Sequence, residues 1–249
     1  MKRDDNWRFN LAILLVVLSG IFYLLHYLIF KDRYYIFYYP LLDIAFLPIQ
    51  VLLVTIGVDQ ILNAREKKSL LQKLNMVIGT FNSEVGSDLL RLFLQFDKSP
   101  ENLSRLASID KDWTDQKFSR AFHELRSLTY NIDSRRGDLD ALKKLLMTKR
   151  NFMLRLLENP NLLEHERFTE LLWAVFHLTE ELTHRPQTLQ LPETDSAHLS
   201  GDIQRAYGLL VVEWLVYMQH LKNDYPYLFS LALRTTPFDT SASVIITHG

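Results

Sequence analysis

Two apolar stretches, residues 10–30 and roughly 40–58, dominate the first quarter of the chain, separated by the polar break Lys31-Asp32-Arg33. The first stretch has no charged residue and the second has one, Asp43. A helix of ~20 apolar residues crosses a bilayer core of ~30 Å, so the pattern predicts a transmembrane hairpin. Beyond it the pattern changes. Leu70, Leu74, Val77, Phe81, Val85, Leu89, Leu92 and Phe96 recur at three-to-four spacing, which predicts that helix two runs on as a long helix over 59–96. Gly79 and Gly86 interrupt that stripe. One wall of a bundle is favoured over a parallel oligomer seam, because further helices follow to cover it. After the break Asp97-Lys98-Ser99-Pro100, periodic segments predict helices at 101–108, 115–130, 138–157, 163–184, 197–222 and 226–233, punctuated by Pro160, Pro186, Pro192 and Pro237. No window alternates with a period of two, and no long repeat is visible. The expected fold is all-α: an N-terminal transmembrane helical hairpin (1–58), a connecting helix (59–96), a cytosolic helical bundle (97–235) and a tail (236–249). Within the tail, Ser243-Val-Ile-Ile-Thr is β-prone and is read either as disordered or as a strand that adds to a partner.

Composition narrows the class. The 249 residues leave room, after the hairpin, for one soluble domain of roughly 150–190 residues. A net charge of −1 supplies no field toward nucleic acid. The absence of cysteine excludes disulfides, thiolate metal sites and cysteine nucleophiles. The first apolar run exceeds the about 7–15 residues of a signal-peptide core, and no small-x-small cleavage site follows it, so it reads as a retained helix. Lys2, Arg3 and Arg8 precede it, Lys31 and Arg33 occupy the turn, and Arg65, Lys67, Lys68 and Lys73 follow the second helix. Basic residues favour the cytoplasmic side, which places both termini in the cytoplasm. Tyr34, Tyr35, Tyr38 and Tyr39 suit the outer headgroup layer.

Four features carry candidate chemistry. In the hairpin, Asp43, Gln50 and Gly57 share one helical stripe, while Ser19, Tyr23 and His26 share another. One reading of His26, Asp43 and Gln50 is a polar seam between the helices, an ion or proton path in an oligomer. Structural anchoring is the favoured reading: Pro40 as first helical residue puts Asp43 in the first turn, where the helix dipole favours an anion, with His26 at a similar depth. Pro48 is expected to kink this helix.

The segment around His177 holds Glu166, Glu170, Glu180, Glu181 and His184. Glu181-x-x-His184 has the spacing of two metal ligands on one helix face, which makes His177, Glu181 and His184 a candidate metal site. The opposite face (Phe168, Leu171, Val175, Leu178, Leu182) is apolar, so these polar side chains point toward water or a partner, and a solvated face is favoured. Trp173 lies among them and hints at an interface. Glu213 sits in the run 207–218, apolar all round, and is expected to be buried. Its pairing with an Arg or backbone donor from another helix is favoured over a catalytic acid. Basic pairs such as Arg135-Arg136 and Lys143-Lys144 suit anionic headgroups or plain solvation. No nucleotide-binding, hydrolase or zincin motif is present, and no cofactor is implied.

Asp59-Gln-Ile-Leu-Asn-Ala-Arg-Glu-Lys-Lys-Ser-Leu-Leu, continuing through Lys73-Leu-Asn-Met-Val-Ile-Gly, is similar to a group of uncharacterised prokaryotic two-pass membrane proteins. So is the end, Tyr225-Pro-Tyr-Leu-Phe-Ser-Leu-Ala with Arg234-Thr-Thr-Pro-Phe. The resemblance implies an inner-membrane setting and no activity. The expected function is a membrane-anchored interaction or regulatory module that self-associates, with the lipid bilayer, a homo-oligomer and a protein partner as its contacts and no nucleic acid. The alternatives are a small oligomeric channel lined by the second transmembrane helix and a metal-dependent enzyme on the bundle.

Overall fold

The computed structural model describes residues 4–31, 33–160, 162, 165–239 and 242–245. Among these, nine α-helices carry the fold, and extended pairing is limited to one isolated antiparallel bridge, Asp97 with Ile132. The helices are α1 (Asp4–Phe30), α2 (Arg33–Phe81), α3 (Ser87–Phe96), α4 (Pro100–Leu106), α5 (Asp115–Ser127), α6 (Leu139–Leu157), α7 (Glu166–His184), α8 (Glu193–Asp224) and α9 (Pro226–Arg234). The chain divides into two compact units at Lys67/Lys68, a point inside α2.

In the first unit, α1 ends at Phe30 and is closed by Lys31, whose φ of 45° lies in the left-handed region common just past a helix end. Helix α2 begins at Arg33, earlier than expected. Pro40 is therefore inside the helix, not at its first position, and Asp43 is well past the first turn. The aromatic segment 33–39 supplies helical turns that precede the proline, which forfeits only one backbone bond. Pro48 also lies within α2.

The second unit begins with the last turns of α2, where Leu74, Ile78 and Phe81 are buried. The stripe continues through Val85, Leu89, Phe93 and Phe96, all fully buried, so it is covered by the chain itself. The expected unbroken helix is interrupted by a π-helical turn, Asn82–Gly86. There Asn82 Nδ2 donates to Ile78 O and the Ser87 hydroxyl donates to Asn82 O, each at 3.0 Å, taking up carbonyls that the wider turn displaces.

Helix α8 is the central element. It packs on α3, α5, α7, α9 and the π turn. Leu199, Ile203, Ala206, Tyr207, Leu210 and Val211 are fully buried along it. A helix apolar on most faces needs neighbours on most faces. Helix α7 meets it with Phe168, Leu171, Val175, Leu178 and Leu182, fully buried, and Phe168 stands edge-on to Phe81 with ring centroids 5.2 Å apart.

Local sequence explains the helix starts. Thr114 accepts a hydrogen bond from Lys117 N, Asp138 from Ala141 N, and His165 Nδ1 from Phe168 N. Helix α5 ends at Ser127, short of the expected 130. The Ser127 hydroxyl donates back to His123 O and Glu124 O, and the following residues extend to form the bridge, with Lys98 N donating to Asn131 O and Asp133 N to Phe96 O. Of the β-prone tail, residues 243–245 are described without strand pairing and 246–247 lie outside the described residues.

Candidate metal centre and adjoining cavity

Helices α7 and α8 face each other with residue numbers running in opposite directions. Arg167 meets Glu213, His177 meets Asp202, Glu181 meets His198, and Arg185 meets Asp195. Each helix contributes one i,i+4 pair to the middle of this ladder: His177 with Glu181, and His198 with Asp202. Such spacing puts both members of a pair on one face.

The middle rungs converge. His177 Nε2 lies 3.6 Å from Asp202 Oδ1, and His198 Nε2 lies 3.3 Å from Asp202 Oδ2. One ligand atom from each of these three residues falls within 4.8 Å of the others. Glu181 stands beside them, 3.6 Å from His198 Nε2 and 4.0 Å from His177 Nε2. The Asp202 side chain is only 7 % exposed, and its Oδ2 has no hydrogen-bond partner despite the nearby imidazole. The two imidazoles are half-exposed.

Arg185 braces one end of the ladder. Its guanidinium grips Asp195 through two nitrogens at 2.7 and 3.0 Å and reaches Glu181 Oε2 at 2.6 Å. These charge-assisted bonds hold the Glu181 and Asp195 carboxyls below their usual range and push the Arg185 guanidinium up.

The ladder redraws the expected group of His177, Glu181 and His184. His177 and Glu181 belong to the cluster, but His184 does not: its Nδ1 lies 2.8 Å from Glu180 O, on the side where Arg150 of α6 holds Glu180. Seven residues, about two turns or ~10.5 Å along the axis, separate His184 from His177, so it lies beyond the cluster. His198 and Asp202 were missed because they lie on another helix, although His198-x-x-x-Asp202 repeats the spacing of His177-x-x-x-Glu181. Trp173, one turn before His177, is 58 % exposed and stands edge-on to Phe176.

At the other end of the same helix pair lies a cavity of about 470 Å³, lined by Arg126, Arg167, Glu170, Arg205 and Glu213 over an apolar floor that includes Leu125 and Val212. Glu213 is 2 % exposed. Its partner across the helix pair is Arg167, whose Nε lies 3.3 Å from Oε1, yet neither carboxylate oxygen has a hydrogen bond. Burial pushes the Glu213 carboxyl up, and Arg167 opposes the shift. His220 is not its partner: it contacts Asn75 and Asp224. In the first unit His26 is half-buried and Gln50 is exposed, while the Asp43 side chain lies outside the described residues.

The frame that holds these groups is shared with known sequences. Residues 70–234 match the family described as "Uncharacterized protein MJ1433, C-terminal helical domain", and residues 2–62 match "MJ1433, N-terminal helical domain". Uncharacterized protein MJ1433 of Methanocaldococcus jannaschii is 46 % identical over 242 residues, which cover 97 % of each chain. The chain belongs to the MJ1433 family. The two family segments lie on either side of the Lys67/Lys68 division. The His–carboxylate cluster and the cavity both lie within the MJ1433 C-terminal helical domain. No solved structure matches the chain.

Proposed function

We propose that this MJ1433-family chain is a two-pass integral membrane protein, with its second unit acting in the cytoplasm as an interaction and regulatory module and with copies associating in the membrane. The observation that carries the reading is the surface of the first unit. Every large apolar side chain described from Ile13 to Leu62 is exposed. A soluble monomer rarely shows a contiguous apolar patch beyond a few hundred Å²; here the exposure surrounds both helices. Phe46–Lys67 is, by length and composition, able to cross a bilayer, and none of it is buried. The shorter apolar stretch Val16–Ile29 lies inside the uncharged run 10–30, which as a helix measures ~30 Å. The excess of basic residues near the chain start (Lys2, Arg3, Arg8) and in α2 past its apolar stretch (Arg65, Lys67, Lys68, Lys73) supports cytoplasmic termini.

Two exposed apolar features on the second unit support a protein partner. One is Trp173. The other is α9, where Tyr227, Leu228 and Leu231 face outward. Extraction of membranes with high salt and then alkaline carbonate tests the anchor: the chain stays in the pellet, and release into the soluble fraction overturns the reading. The natural lack of cysteine makes orientation measurable. With Lys31→Cys and Ser69→Cys, an impermeant maleimide labels only the first in intact cells. The reverse pattern overturns the assigned topology. Cross-linking in membranes yields a copy number above one, and a monomer overturns self-association.

A further inference from the structure

We propose that His177, His198 and Asp202 bind one divalent transition-metal ion of the zinc class in the groove between α7 and α8. The donor atoms come together from two helices, and their spacing suits a shared ion. A tetrahedral site with metal–ligand bonds of ~2.1 Å has ligand–ligand edges of ~3.4 Å. The two imidazole-to-carboxylate separations are 3.6 and 3.3 Å. Asp202 faces both imidazoles at once, with Oδ1 toward His177 and Oδ2 toward His198.

A second observation points to a ligand. Asp202 is more than nine-tenths buried, and Oδ2 makes no hydrogen bond. A buried carboxylate oxygen left without a partner is costly. If the cluster were held together simply by imidazole N–H donors, Oδ2 would accept from His198; the contact is close but off the hydrogen-bond line. A cation at the common point satisfies the carboxylate without that alignment.

The donor set selects the metal. Two imidazoles and one carboxylate suit zinc, copper or nickel, whereas magnesium and calcium favour all-oxygen shells. Glu181 stands outside the first three ligands. Its Oε2 is engaged by Arg185 at 2.6 Å and its Oε1 is 4.0 Å from His177. Beside a metal it can accept a proton or a hydrogen bond from a bound water. Both imidazoles are half-exposed, so a coordination position open to solvent remains, as in zinc sites that act on ligands and unlike closed structural ones. With Asp202 from α8 and His177 from α7, an ion also ties the two helices together. This inference does not depend on the membrane reading.

The test uses the full chain in detergent, without a polyhistidine tag, stripped by chelator and then titrated with Zn²⁺ and separately with Co²⁺. One equivalent binds per chain, and Co²⁺ develops the visible absorption of a four- or five-coordinate site. His177→Ala, His198→Ala and Asp202→Asn each weaken binding by more than ~100-fold, beyond the ~10–100-fold of an outer-shell change. His184→Ala leaves binding unchanged. Thermal melts of the apo variants identify any that fail to fold; His177→Ala and His198→Ala remove half-exposed side chains and retain the fold. No stoichiometric binding by the wild-type chain, binding that survives His198→Ala, or binding lost through His184→Ala instead, overturns the proposal.

Discussion

Arg167 on α7 carries its guanidinium to within 3.3 Å of the Glu213 carboxylate on α8. The acid is 2 % exposed, while the base is open to solvent on one side. Charge and burial therefore act on Glu213 in opposite senses, and burial is the larger influence.

That imbalance makes stability depend on pH. The folded-state pKa of Glu213 is raised above its ordinary value of 4.5. Between those two values the folded chain holds a proton that the unfolded chain releases, so stability falls as pH rises through the window. Glu213→Gln removes the titration. Thermal melts from about pH 4 to about pH 9 are expected to show a weaker alkaline loss for the variant than for the wild type. Arg167→Ala acts oppositely. It strips the opposing charge, lets burial push the Glu213 carboxyl further up, and steepens the loss of stability as pH rises.

Arg185 ties the end of α7 to the start of α8. Replacing it with Ala breaks the paired bonds to Asp195 and the contact with Glu181, an expected loss of ~1.5–3 kcal/mol in denaturant unfolding. Lysine keeps the charge but loses the planar fork, so Arg185→Lys falls between the two. The Glu181 and Asp195 carboxyls are held below their ordinary values of 4.5 and 3.8. Their contribution is present above those values and is lost as pH falls through the folded pKa values. Arg185→Ala is expected to show less acid sensitivity than wild type.

Two glycines are expected to respond oppositely to alanine. At Gly137 an added Cβ would stand 2.5 Å from a carbon of the fully buried Phe96 ring. Gly137→Ala is expected to cost ~1–3 kcal/mol, through displacement of a core side chain. At Gly201, in α8, nothing lies within 4 Å of the added atom. Gly201→Ala is expected to stabilise by ~0.4–1 kcal/mol, through reduced freedom of the unfolded chain. Denaturant midpoints of the two variants decide both.

Trp173 separates folding from association. Being exposed, it is expected on replacement by Ala to change unfolding free energy by no more than ~0.5 kcal/mol. If it anchors a partner or a second copy, the same change lowers cross-linking yield in membranes, while the melt stays in place.

The apolar surface of α1 and α2 was readable because an uninterrupted apolar run has no other face to show. The covered stripe of Phe81, Val85, Leu89 and Phe96 was readable for a related reason: three-to-four spacing places side chains on one face whatever the neighbours are. Less legible were the π turn at Asn82–Gly86, the early start of α2 before Pro40, and the end of α5 at Ser127. Each depends on which carbonyls find a donor, and that is settled among side chains such as Ser87 and Ser127 and by the bridge between residues 97 and 132.

Sequence by itself determined that the chain is helical, where most helices lie, and that Phe168, Leu171, Val175, Leu178 and Leu182 form the inward face of α7. Those relations are set by the 3.6-residue turn, a local property of the backbone. Only the tertiary structure decided that α7 lies against α8 with its numbering reversed, bringing His198 and Asp202 to His177 and Arg167 to Glu213. No local rule selects the partner of a helix. That choice belongs to the packing of the whole core, which here surrounds α8.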